Sequence, residues 1–229
     1  MKLTNLQNTL SKHRQQIAPL LGFDFNKVKT ITIDNSISNP DFKNFDVSNV
    51  EAYTNYCNEL LKLNNAKCAV GGYLEERVIY QHHEQFGESQ RNIHLGVDVF
   101  MGENTKVYAP LPATIHSFNN NDMAGDYGPT LILKHKLDGL EFYSLYGHLS
   151  IKDLDNWSVG KAFNAGDLIG HFGQPNENGG WPPHLHFQLI MDMMDYKGDF
   201  PGVCSKEDLP KYQQLCPNPN WVMGVGDNF

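Results

Sequence analysis

The chain has 229 residues, of which 40% are hydrophobic and 19% charged, and a net charge of −8 at pH 7. That composition excludes a disordered or collagen-like chain, and the length allows a core that needs no disulfide staples. Acidic residues outnumber basic ones with no basic run anywhere, which argues against nucleic-acid partners, and no run of about 18 apolar residues is present to span a membrane.

The opening segment MKLTNLQNTLSKHRQQIAPLLG has no apolar run of the leader type. This favours a cytoplasmic protein, or a periplasmic or extracellular one if a leader has been removed. Leu3, Leu6, Leu10, Ile17 and Leu21 fall near one face of a helix that Pro19 and Gly22 should end. KVKTITID alternates like a strand closed by Asn35. Ser48 and Glu51 form a capping box ahead of Val50, Tyr53, Cys57, Leu60 and Leu61, which predicts a helix as far as Asn64 and Asn65. Residues 77–81, RVIYQ, read as a strand.

From about residue 91 to 192 the pattern changes. HLGVDVF, KVYAPL, ATIHSF, TLILKHK, EFYSLYGHL, DLIGHFG and HLHFQLI recur between turn-forming clusters, with no helical period between them. The reading is an antiparallel all-β unit. The tail, 193–229, is rich in Pro and Asp, with one short helix expected from Asp208 and Pro210 through Leu215. The fold class is therefore mainly β, α+β overall. A mixed N-terminal region spans 1–90, the β domain 91–192 and a wrapping tail 193–229.

Cys57, Cys68, Cys204 and Cys216 include no CxxC pair, so a thiolate metal site is not expected. Free buried thiols are the expectation and two disulfides the alternative. The chemistry lies in the histidines, of which there are ten. In His94-Leu-Gly-Val-Asp98 the two end residues share a strand face but sit about 13 Å apart on an extended chain, so Gly96 must bend it for both to meet one ion. In Pro182-Pro-His184-Leu-His186-Phe the two imidazoles point one way, about 6.6 Å apart, and Leu185 and Phe187 the other. One imidazole can bind a metal while its neighbour meets a substrate. Tyr146 and His148 share a face on a regular strand, and FGQPNENGGW supplies a glycine-bearing loop before the histidine pair. Two histidines and an aspartate from separate strands would leave a zinc ion one open position for water.

These motifs resemble the signatures of the M23 zinc metallopeptidases, the lysostaphin-type and LytM-like endopeptidases. The resemblance runs in order through His94-x-Gly-x-Asp98, Tyr146-Gly-His148-Leu and His184-Leu-His186-Phe, and covers about 91–191. VYAPLPATI, DYGPTLILKH and VGKAFNAGDLIGHFGQ match the connecting segments. The resemblance implies a barrel-sandwich hybrid fold with one zinc ion per chain on His94, Asp98 and His186. It implies His148 and His184 as catalytic residues, with Tyr146 beside the site; Trp181, in the loop that departs from the family pattern, is the further candidate to meet the substrate. The implied substrate is a peptide, usually a peptidoglycan cross-link or a glycine-rich segment. Where the family usually reads TGxSxGPHLHF this chain has QPNENGGWPPHLHF, which makes the groove bulkier. GGWPPHLHFQLI, with DFPGV and CPNPN downstream, is similar to the M23-type module of intracellular kinase–peptidase–aminotransferase fusions. A non-catalytic metal-containing binding or regulatory module, and a zinc hydrolase of a cytoplasmic peptide or amide, are the alternatives. His82 and His83 are candidates to approach the groove from the N-terminal region, which could also cap the cleft.

Overall fold

The computed structural model describes residues 2–77 and 91–226. All but the first residue of the strand expected at 77–81 lies outside the described residues, as do His82 and His83.

Helix α1 (Lys2–Lys12) buries Leu6 and Leu10 on the core, each worth about 1.5–3 kcal/mol. It stops well before Pro19. A single 3-10 turn, Arg14–Gln16, follows, and Ile17 is already extended. The cause is local: no apolar residue continues the stripe between Leu10 and Ile17, and Pro19 disfavours helical backbone at Ala18. Strand β1 (Thr30–Ile33), helix α2 (Val50–Asn64) and strand β2 (Cys68–Gly71) form a β-α-β crossover with β1 parallel to β2. The cap of α2 is Asn49, one residue later than the expected Ser48. Its side-chain oxygen accepts from the Glu51 and Ala52 amides, while the Ser48 hydroxyl donates to Asp46. Asn65 ends the helix at φ 48°, a left-handed conformation that asparagine tolerates.

The β domain contains β3 (Ile93–His94), β4 (Val97–Phe100), β5 (Lys106–Tyr108), β6 (Ala113–Asn121), β7 (Gly128–Leu137), β8 (Leu140–Gly147), β9 (Ala162–Phe163), β10 (Leu168–His171) and β11 (His184–Ile190). All pairings within it are antiparallel, as the alternation implied. The main sheet runs β1-β2-β4-β11-β8-β7-β6-β9 and so crosses the boundary expected near residue 90 without interruption. The joint is β2 on β4, with Gly71 opposite Asp98. The tail adds β12 (Val203–Cys204) against β3, then helix α3 (Leu209–Leu215), placed as expected, and a short helix α4 (Asn220–Met223). All four cysteines are buried free thiols.

One buried group ties stability to pH. His135 on β7 donates from Nδ1 to the Pro112 carbonyl at 3.1 Å, and its Nε2 lies 2.7 Å from the Ser144 hydroxyl. Burial lowers its pKa to about 4, against an ordinary 6.5. The unfolded chain takes up a proton near pH 6.5 that the folded chain refuses until about pH 4. The contribution of His135 is therefore complete above pH 6.5 and lost as the pH falls toward 4. The slope in that window is about 1.4 kcal/mol per pH unit. Urea melts between pH 4 and 7 should show the His135→Asn variant with a slope shallower by one proton. Parallel slopes in the two proteins would refute this account.

Candidate active site

The sheet register assembles residues that are far apart in sequence. His186 on β11 lies opposite Asp98 on β4 and, on its other side, opposite Gly147 on β8. The strand breaks between β3 and β4, with a bend at Gly96, and this brings His94 Nε2 to 3.3 Å from Asp98 Oδ1. Gly96 has a second role. A Cβ there would fall 2.5 Å from the His186 ring, so only glycine lets that imidazole lie against the bend.

The three donor atoms form a buried triangle. His94 Nε2 is 2.9 Å from His186 Nδ1, which is 3.1 Å from Asp98 Oδ1. Tetrahedral zinc with bonds of ~2.0–2.2 Å spaces its ligand atoms about 3.4 Å apart, so each edge of the triangle is within about half an ångström of that shape. Hydrogen bonds set the tautomers. His94 donates from Nδ1 to the Gly72 carbonyl at 3.0 Å, which leaves Nε2 as a lone pair. His186 donates from Nε2 to Gln188 Oε1 at 2.9 Å, which leaves Nδ1 as a lone pair. The Gln188 amide nitrogen is committed to the Pro201 carbonyl and to Cys216 Sγ, so its oxygen must face His186. Two nitrogen lone pairs and a carboxylate oxygen thus converge with no proton between the nitrogens. A cation resolves that arrangement, and the donor set suits zinc. Burial, then the charge of Arg77, lowers the His94 pKa to about 4. Burial works to raise Asp98, but the adjacent His94 imidazole, charged only in the acid range where a carboxyl titrates, and the Arg77 guanidinium outweigh it and hold its carboxyl well below the ordinary range.

Beside the triangle sit two more histidines. The rings of His148 and His184 are 4.2 Å apart between centroids. Each donates from Nδ1 to a carbonyl, His148 to Asn178 at 2.8 Å and His184 to Pro182 at 2.7 Å, so each keeps a lone pair on Nε2. His184 Nε2 lies 3.9 Å from Asp98 Oδ1, and its ring stacks on Phe100. Burial, first in both cases, lowers the pKa of both imidazoles, and the proximity of His184 adds to the effect on His148. His148, His184 and His186 line a pocket of about 270 Å³ together with Tyr127 and Trp181.

Residues 92–196 match the model of peptidase family M23. The family is one of metallopeptidases, hydrolases of the peptide bond. No curated protein matches the chain. Among solved structures, the catalytic domain of the antimicrobial peptidase lysostaphin from Staphylococcus simulans is 26% identical, with 53% of this chain and 80% of that one covered and a TM-score of 0.36. A zinc-containing peptidase from Vibrio cholerae is 23% identical, with a TM-score of 0.34, and the match covers 43% of this chain but only 27% of that one. A catalytic-domain mutant of the prophage-encoded M23 protein EnpA from Enterococcus faecalis is 19% identical over 50% of this chain and 77% of that one, with a TM-score of 0.35.

Within the matched segment the structure brings His94, Asp98, His148, His184, His186 and Trp181 together. Trp181 donates from its indole nitrogen to the Asp126 carbonyl and forms one wall of the pocket. Tyr146 departs from expectation. It is fully buried in the main core, and its hydroxyl accepts from Ser144. The expected shared face with His148 requires a regular strand. In fact β8 ends at Gly147, and His148 adopts φ 61°, which turns its side chain to the opposite side from Tyr146. The aromatic neighbour of the site is Tyr127, whose ring lies 5.1 Å from His186 and 5.6 Å from His148. Its ring presses on Gly147, where a Cβ would come within 2.6 Å, so the glycine of the Tyr-Gly-His motif makes room for Tyr127. Neither Tyr127 nor Gln188 is among the residues expected from sequence. Gln188 has a legible signal all the same, a polar side chain two residues past His186 on the same strand face. His13, His116, His135 and His171 bond elsewhere, to Asp138, Ser117, Pro112 and Asp153 respectively.

Proposed function

We propose that the chain is a zinc-dependent metalloendopeptidase, with zinc on His94, Asp98 and His186 and with His148 and His184 as the catalytic pair. The observation that carries this reading is the sorting of four imidazoles by their hydrogen bonds. Two direct lone pairs into the donor triangle, and two keep Nε2 lone pairs beside it. His94, Asp98 and His186 would hold the zinc, which would supply Lewis-acid activation of water and of a substrate carbonyl.

The protein's own groups supply the rest. His148 and His184, neutral because they are buried, can each accept a proton at Nε2 from the attacking water. The resulting imidazolium keeps one N–H on its carbonyl and aims the other at the developing oxyanion or the leaving amine. Burial disfavours that charged form, so the proton is passed on rather than held. Tyr127 and Trp181 wall the pocket. Its volume of about 270 Å³ lies at the small end of the ~300–1,000 Å³ common for small-ligand sites and leaves room for a short segment of small residues. A peptidoglycan cross-link or glycine-rich peptide fits that description and the M23 resemblance. The second reading is a zinc hydrolase of a cytoplasmic peptide or amide.

The test is cleavage of a panel of peptidoglycan fragments, oligoglycine peptides and unrelated peptides, with and without a chelator. Chelator-sensitive cleavage of glycine-rich members is expected. Metal binding without hydrolysis of any member would favour a non-catalytic binding or regulatory module.

A further inference from the structure

Arg77 lies outside the M23-matched segment in sequence, yet it reaches the metal triangle. Its side chain is completely buried. Nη1 donates to Asp98 Oδ2 at 2.5 Å, and Nε donates to Glu75 Oε2 at 2.8 Å. The other oxygen of Glu75 accepts from the Asn35 amide at 3.0 Å, which anchors the pair to the segment after β1. The backbone is shaped to admit the guanidinium: a Cβ on Gly71, the residue opposite Asp98, would fall 2.9 Å from Arg77 Nη2. The next carbonyl, that of Gly72, accepts from His94 Nδ1. Residues 71–77 thus brace two of the three metal ligands from behind.

We propose that Arg77 is a positioning residue that holds Asp98 to one-oxygen coordination, supplied by the N-terminal region rather than by the M23-matched segment. The inference rests on the zinc-site reading above. The carboxylate faces the donor triangle with Oδ1 only, because Oδ2 is occupied by the guanidinium. A carboxylate freed from that restraint can turn both oxygens to the metal and take the position that a reacting water needs. Glu75 partly offsets the guanidinium charge but does not supply its geometry. The directional fork is what matters, and lysine cannot reproduce it toward two carboxylates at once.

The experiment uses the full chain, with zinc affinity measured by chelator competition and cobalt(II) as the spectroscopic probe. In wild type the cobalt spectrum should show the intense visible absorption of a four-coordinate site. Arg77→Met should bind zinc about 10–100-fold more weakly. Its cobalt absorption should weaken as the coordination number rises, and circular dichroism should be unchanged. A folded Arg77→Met protein with wild-type affinity and spectrum overturns the proposal. If that variant does not fold, Arg77→Lys decides: zinc affinity about tenfold lower is expected, and wild-type values for both readouts overturn the proposal. Wild-type protein that binds neither metal would instead refute the zinc site itself.

Discussion

Replacing His186 by alanine should abolish metal binding and hydrolysis together. The residue supplies Nδ1 to the triangle, and without it only His94 and Asp98 remain, a set too small to hold zinc against solvent. The substitution also leaves Gln188 Oε1 without its donor and opens a space against Gly96, where the imidazole lies. Zinc measured on purified protein should fall from one per chain to near zero, and kcat/KM should fall by about a thousandfold or more, since Lewis-acid stabilisation is worth several kcal/mol. A His186→Ala protein that keeps stoichiometric zinc would show that the triangle is not the metal site.

The second large effect separates metal binding from catalysis. His148→Asn and His184→Ala should each keep one zinc per chain and lose about 10²–10⁴-fold in kcat, the range for a positioned acid–base group. Neither residue contributes a donor to the triangle. Their Nδ1 atoms serve backbone carbonyls and their Nε2 atoms face the pocket. Asparagine is the better replacement at position 148, because the backbone there is left-handed at φ 61° and alanine would add strain. The double variant should lose little more than the worse single one if the two rings act as a unit. Unchanged kcat in His184→Ala would remove the proposed proton transfer, whereas loss of zinc in either variant would move that residue into the ligand set.

Much of the site is legible in the sequence because its residues carry local constraints. HxGxD needs its glycine for a specific reason: the ring of His186 occupies the place of a side chain at position 96. HLHF alternates because His184 and His186 face the pocket while Leu185 and Phe187 enter the main core. The α3 helix is marked by Asp208 and Pro210. Tyr146 misleads because strand periodicity does not extend past the end of β8, where the next residue is left-handed. Ser48 misleads because Asp46 competes for its hydroxyl and Asn49 is free to cap. Arg77 carries no local signature at all; a lone arginine at the edge of an apolar run is ordinarily a surface residue.

The sequence by itself determined most strands of the β domain, their antiparallel character and the identity of the groups proposed to hold metal and move protons, but not β2, β9 or β12. These follow from side-chain periodicity and from ligand chemistry, which act over a few residues. Only the tertiary structure decided which tautomer each histidine presents, which face His148 turns to, and that Arg77 and the Gly72 carbonyl stand behind Asp98 and His94. Those last two contacts join residues 21 and 22 positions apart in the chain. Pairing of β2 with β4 makes them neighbours, and no local pattern encodes that pairing.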